Sequence, residues 1–293
     1  MAKGKTHKGM AHAVKQHAGQ LCRLVMAALV ALASAAAQAT TWYVSPSGDG
    51  TDPSAGFATG FPTIKAALAN ASLADDDVVL LDRATFDLSY ENRAKEIANS
   101  GGTISKRIVL SGVGTKEETV IDGGRERNTN GTEWTRRYND HHPQLVIAVD
   151  GVVVQNMTFQ RMGSQYHATI SLSGHNNCTI SNVVIRNTGL GYPNGVAGYT
   201  DKAMLYLTGN SNAGNRIFNC VFTNNVSNGP VVWLDGSQKG NRMENCYIAE
   251  NRCTGVAWNY GVAYMSVGNQ YSGGAWPLLQ QHDCQQQVQA GCG

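Results

Sequence analysis

Short runs in which hydrophobic and polar residues alternate recur along most of the chain, and they cluster most clearly after residue 145. Alternation of period two marks strands with one buried face, whereas an amphipathic helix would repeat every 3.6 residues. One run returns in phase. Val154-Gln-Asn156-Met-Thr-Phe159 is echoed by Ile180-Ser-Asn182-Val-Val-Ile185, by Ile217-Phe-Asn219-Cys-Val-Phe222 and by Met243-Glu-Asn245-Cys-Tyr-Ile248. A weaker fifth copy reads Val267-Gly-Asn269-Gln-Tyr271, and the five asparagines are separated by 26, 37, 26 and 24 residues. Upstream of these lie elements ending in glycine: Ile147-Ala-Val149-Asp-Gly151, Ile170-Ser-Leu172-Ser-Gly174, Leu205-Tyr-Leu207-Thr-Gly209 and Val232-Trp-Leu234-Asp-Gly236.

A unit of this size cannot enclose a core alone. If the chain coils and each turn stacks on the last, about 4.8 Å apart, the inward residues form continuous columns. Asparagine tolerates the left-handed backbone conformation, so its recurrence predicts a tight bend between two strands in every turn. An antiparallel sandwich would explain the alternation but not an in-phase asparagine with a hydrophobe three residues later. The expected fold is therefore an all-β, single-stranded parallel β-helix over residues 77–272. Before it, residues 40–76 hold a strand and a helix over 61–72, with Thr63 as N-cap and Ile64, Ala67 and Leu68 as its apolar stripe.

Residues 1–39 read as a secretory signal peptide: Lys3, Lys5, Lys8, Lys15 and Arg23, then the apolar stretch Leu24 to Ala36, then Ala37-Gln38-Ala39. Its loss removes five of 23 basic residues and leaves 18 against 21 acidic ones, a net charge of −3. A mildly acidic chain without basic stripes argues against a nucleic-acid partner. After the leader no segment is apolar enough to span a membrane. The expected location is secreted, periplasmic or cell-surface. Six cysteines remain, an even number that permits disulfides in an oxidising compartment, and Cys220 and Cys246 recur at one repeat position. Residues 273–293 form a Gln/Cys-rich tail. Either it folds over the last turn, or the chain is a truncated form of something longer.

The opening Trp42-Tyr-Val-Ser-Pro46-Ser-Gly48-Asp49-Gly50, followed by Phe61-Pro-Thr63-Ile64-Lys-Ala66-Ala67-Leu68, resembles that of pectin-lyase-like proteins. So do Asp77 to Leu81, Arg107 to Gly112 and Thr119 to Gly123. The resemblance spans residues 42 to about 272 and implies a right-handed coil with three sheets per turn, capped by the Thr63 helix. It also implies a substrate groove along the glycine-ended strands and the long turns before them. Lyases, hydrolases and non-catalytic adhesins share this fold, so activity must be argued from the site. Val231-Val-Trp233-Leu-Asp235 resembles a strand of classical pectate lyases, but Gly236 replaces their histidine, and the motifs of polygalacturonases are missing.

On that plan Tyr206 and Trp233 are outward neighbours that form a platform for the apolar faces of sugar rings. The segment from Arg186 to Lys202 is an insertion that brings Tyr199, Asp201 and Lys202 to the groove edge. Lyase chemistry on a uronate needs a base near C5 and a cation that neutralises the carboxylate. Lys202 is the candidate base, and Asp201 with Asp235 are candidate ligands for Ca²⁺. Arg125-Glu126-Arg127 and Arg136 to His142 form a second cluster, alongside Arg161, Tyr166 and His167, that would be a substrate-binding wall: arginines suit bidentate recognition of uronate or sulfate, Arg161 and His167 are candidates for catalysis, with His142 as an alternative base, and Tyr166 can bind sugar. Arg186, at the start of the insertion, is a further candidate for substrate binding. Asp150 and Asp235, read at one repeat position three turns apart, would sit about 14 Å from each other. That exceeds the roughly 5–9.5 Å of paired-carboxylate glycosidases. The leading expectation is a lyase acting on an acidic, uronate-containing polysaccharide by β-elimination. A glycoside hydrolase and a non-catalytic adhesin or glycan-binding protein are the alternatives.

Overall fold

The computed structural model describes residues 39–87, 102–124, 145–164, 168–190, 203–209, 213–227, 231–234, 240–253, 263–265 and 270–272. The chain divides into two units, Met1–Ala39 and Thr40–Gly293, and every described residue except Ala39 belongs to the second. The leader, the tail after residue 272 and most of the 186–202 insertion lie outside the described residues.

The architecture is parallel β-sheet with almost no helix. Every strand pairing among the described residues is parallel, and within each sheet a strand hydrogen-bonds to its counterparts in neighbouring repeats, the end strands on one side only. Three sheets result. The longest runs from Thr41–Val44 through Val78–Leu81, Val109–Gly112, Val153–Gln160, Thr179–Arg186, Arg216–Phe218 and Arg242–Glu244 to Gln270–Ser272. A second arm of that sheet carries Thr85–Asp87, Val120–Asp122, Val221–Thr223 and Tyr247–Ala249. The four glycine-ended strands, with Thr103–Ile104 at one end and Ala263–Met265 at the other, make a six-stranded sheet, and four two-residue strands, Gly163–Ser164 to Arg252–Cys253, make the third.

Asn156, Asn182, Asn219 and Asn245 lie in one row at the junction of the two arms. All four have left-handed backbone, with φ of 58°, 50°, 54° and 51°. The Asn182 amide donates to Asn156 Oδ1 at 3.2 Å, linking two turns. Around the bend the inward residues form columns. Phe86, Ile121, Phe159, Ile185, Phe222 and Ile248 are successive register partners and all are buried. Phenylalanine and isoleucine alternate along this column, which sets the rings of Phe159 and Phe222 between branched side chains. Full burial of such a side chain stabilises by about 1.5–3 kcal/mol.

A second bend, not anticipated from the sequence, follows the second arm. Arg161, Asn187, Asn224 and Glu250 occupy it, again with left-handed φ of 49°, 51°, 54° and 55°. The next residue in each turn, Met162, Thr188, Asn225 or Asn251, points inward and is buried. Asn225 Oδ1 accepts from Thr188 N–H at 3.0 Å, and Asn251 Oδ1 accepts from both the backbone and side-chain amides of Asn225 at 3.0 and 2.9 Å. Asn215 and Asn241 repeat this pattern where the six-stranded sheet passes into the long one. Buried amides thus satisfy the backbone groups that each corner takes out of sheet pairing.

Three expectations need correction. The fifth repeat is out of register: Met243 pairs with Tyr271, not Val267. Because Ala263–Met265 pairs with Val232–Leu234, the alignment on Val267 would leave Ser266 alone to turn the corner. The first glycine-ended copy is also shifted by two residues. Leu145 and Ile147, rather than Ile147 and Val149, stand beside Ile170 and Leu172. Asp150 therefore lies in the turn after the strand and is not the counterpart of Asp235. Finally, the helix is shorter than 61–72. It spans Ile64–Leu68, with Thr63 Oγ1 accepting from Ala66 N–H at 3.0 Å and Ile64, Ala67 and Leu68 buried. It ends where Asn70 Oδ1 turns back to accept from Ser72 N–H at 3.1 Å.

Candidate functional site

The outward face of the six-stranded sheet carries one column of interest. The register places Thr103, Val146, Ser171, Tyr206, Trp233 and Tyr264 in line. Inward neighbours fix this polarity: Leu205, Leu207, Val232 and Leu234 are all fully buried on the other face. Tyr206 and Trp233 meet with ring centroids 6.0 Å apart and planes tilted by 54°. Tyr206 is half-buried, but Trp233 is only 9 % exposed. Trp233 is thus largely covered, in contrast to the open platform that the alternation predicts.

Arg161 and Arg186 occupy a different place, the end of the second arm and the bend after it. Asp122, Gln160 and Arg186 are register partners on successive turns. Arg161 grips the buried Asp122 carboxylate with Nε–Oδ1 at 2.8 Å and Nη2–Oδ2 at 2.7 Å. Gln160 Nε2 donates to the same carboxylate at 2.8 Å, while Gln160 Oε1 accepts from Arg186 Nε and Nη2 at 3.1 and 2.9 Å. Burial alone would raise the Asp122 carboxyl. The hydrogen bonds from Arg161, Gln160 and the Gly124 N–H outweigh it and hold the group below the ordinary carboxylate range. Such a fork keeps the guanidinium charged. Arg161 is thereby suited to clamp two turns, not to accept a proton.

Four of the sequence-derived candidates are thus described, and they form two separate pairs on different sheets. Lys202, His167, Tyr199, Tyr166, Asp201, Asp235 and the cluster from Arg125 to His142 lie outside the described residues. Among the described residues no group of three His, Cys, Asp or Glu converges in a way that could hold a metal ion.

Sequence reasoning missed the roles of Asp122, Gln160 and Asp150. Asp150 accepts from Asn176 N–H at 3.0 Å, from its side-chain amide at 3.3 Å and from His175 Nδ1 at 3.2 Å, in the turn leaving the six-stranded sheet. The backbone donor of Asn176 is the chief cause that holds Asp150 below its usual range. The pairing of Asp122 with Arg161 has no local signal, since 39 residues separate them. The second bend did leave one: Asn225 and Asn251 each follow a first-bend asparagine by six residues.

Comparison of the chain with protein-family models, with curated proteins and with solved structures finds no match.

Proposed function

We propose that this chain is a secreted right-handed parallel β-helix that engages an acidic polysaccharide along its six-stranded sheet and cleaves it by β-elimination. The Tyr206–Trp233 contact carries the reading, because Tyr206, half-buried on the outer face of the sheet and backed by Trp233, offers an apolar ring to pyranose C–H groups. The flat, repeating sheet supports it further, since successive sugars of a polymer could lie along the column from Ser171 towards Tyr264. The resemblance of residues 42 to about 272 to pectin-lyase-like proteins supports a right-handed coil and a groove along this sheet.

In this reading the neutral Lys202 amine removes the C5 proton, the bond to O4 breaks as the C4–C5 double bond forms, and the leaving O4 takes up a proton from solvent water. Tyr199, Tyr206, Tyr166 and Trp233 position the chain. Ca²⁺ held by Asp201 and Asp235 would supply a countercharge for the carboxylate beside C5. Incubation with pectate, alginate and chondroitin, with and without Ca²⁺, tests this through the ultraviolet absorbance of the unsaturated product. We expect absorbance to rise with at least one substrate and to be lost in Lys202→Ala. New reducing ends without that absorbance would identify a hydrolase instead. Binding without turnover, surviving Lys202→Ala, would identify a non-catalytic glycan-binding protein.

A further inference from the structure

Cys220 and Cys246 follow the first-bend asparagines of consecutive turns, Asn219 and Asn245, and both point into the core with 1 % and 0 % exposure. Register partners on either side, Phe218 with Glu244 and Val221 with Tyr247, place the two cysteines directly one above the other. Neighbouring strands run about 4.8 Å apart. That spacing lies within the roughly 4.4–6.8 Å Cα separation a disulfide requires. Both sulfurs are thiols in the structure, and their side chains hydrogen-bond to each other. Each also reaches a carbonyl of its own turn: Cys220 that of Phe218 at 3.4 Å, and Cys246 that of Glu244 at 3.3 Å. In the two preceding turns the same column position holds Met157 and Val183, also buried. Apolar residues therefore satisfy the packing there, and packing alone does not call for two stacked sulfurs.

We propose that Cys220 and Cys246 are joined by a disulfide that staples two consecutive turns when the chain folds in the presence of a small-molecule disulfide oxidant. The Cys246 thiolate attacks one sulfur of the oxidant, forming a mixed disulfide and releasing one oxidant thiol. The Cys220 thiolate then attacks the Cys246 sulfur, closing the protein disulfide and releasing the second oxidant thiol. Two cysteines are oxidised, one oxidant disulfide is reduced, and the two cysteine protons end on the released thiols. The roles of the two cysteines in these steps can be exchanged without changing the balance. Reagent reaches the pair before the turn carrying Cys246 closes over that of Cys220, since neither sulfur is exposed afterwards. Nothing in this depends on glycan binding or on the compartment.

The full chain, reduced and unfolded, is refolded in buffer containing oxidised and reduced glutathione, then alkylated under denaturing conditions and digested without reductant. The expected result is a cross-linked peptide pair containing Cys220 and Cys246, lighter by two hydrogens than the two free peptides, and a Tm that falls on reduction. In Cys220→Val/Cys246→Val, which places the residue of the Val183 turn in both, reduction should leave a smaller shift in Tm. Recovery of both cysteines as alkylated thiols from folded protein, or of either paired with a different cysteine, would overturn the proposal.

Discussion

Asn225 shows how a single buried amide is used. Its carbonyl accepts from Thr188 N–H, its own amide nitrogens donate to Ile185 O at 2.8 Å and to Asn251 Oδ1, and it is fully buried. Leaving a buried partner unsatisfied costs roughly 1–3 kcal/mol. Asn225→Leu should therefore lower stability by about 3 kcal/mol, read as a shifted midpoint in urea unfolding. Glu250 points the other way. It holds φ of 55°, a conformation asparagine tolerates and glutamate does not favour. Glu250→Asn should stabilise by about 0.5–1 kcal/mol in the same experiment. Asp122 sets a pH dependence. Its folded carboxyl titrates below its unfolded value of about 3.9, so its stabilisation is present above that pH and is lost as pH falls through the lower folded value. Asp122→Asn should flatten the loss of stability below about pH 4, and an acid limb unchanged from wild type would count against the Arg161 clamp.

At the level of elements, the bends decide what fits. Gly112 stands in the first-bend row beside Asn156, and a Cβ there would run into the Asn156 carbonyl oxygen and into Thr119. Gly174 has φ of 74° but open space around a Cβ. Gly112→Ala should thus cost on the order of 3 kcal/mol and Gly174→Ala only about 1–2 kcal/mol, a contrast that thermal unfolding of the two variants would reveal. These bends also show how far the sequence could be read. The asparagine row was legible because the same residue type meets the same backbone need in four turns. The second row was harder to read, since Arg161 and Glu250 share the conformation of Asn187 and Asn224 without sharing their side-chain chemistry. The shifted first copy of the glycine-ended element was misaligned because Gly151 looks like Gly174, although hydrogen-bond register follows Leu145 and Ile147.

For the whole molecule, stacking turns sequence separations of 26 or 37 residues into neighbours a few ångströms apart, which is why the Phe/Ile column and the Cys220–Cys246 pair exist. The outer face of the six-stranded sheet was readable only in part: Tyr206 beside Trp233 follows from period and phase, whereas the burial of Trp233 and the grip of Arg161 on Asp122 leave no local signal. The register also fixes one long distance. Val78, Val109, Val153, Thr179, Arg216 and Arg242 are successive partners along the longest sheet. Five such steps amount to about 24 Å. Electron–electron dipolar spectroscopy between spin labels placed at positions 78 and 242 through a genetically encoded ketone, so that the native thiols stay untouched, measures it. A single narrow distribution near that value, widened only by the length of the labels, is predicted. A broad distribution, or one centred well beyond it, would contradict the in-register stacking.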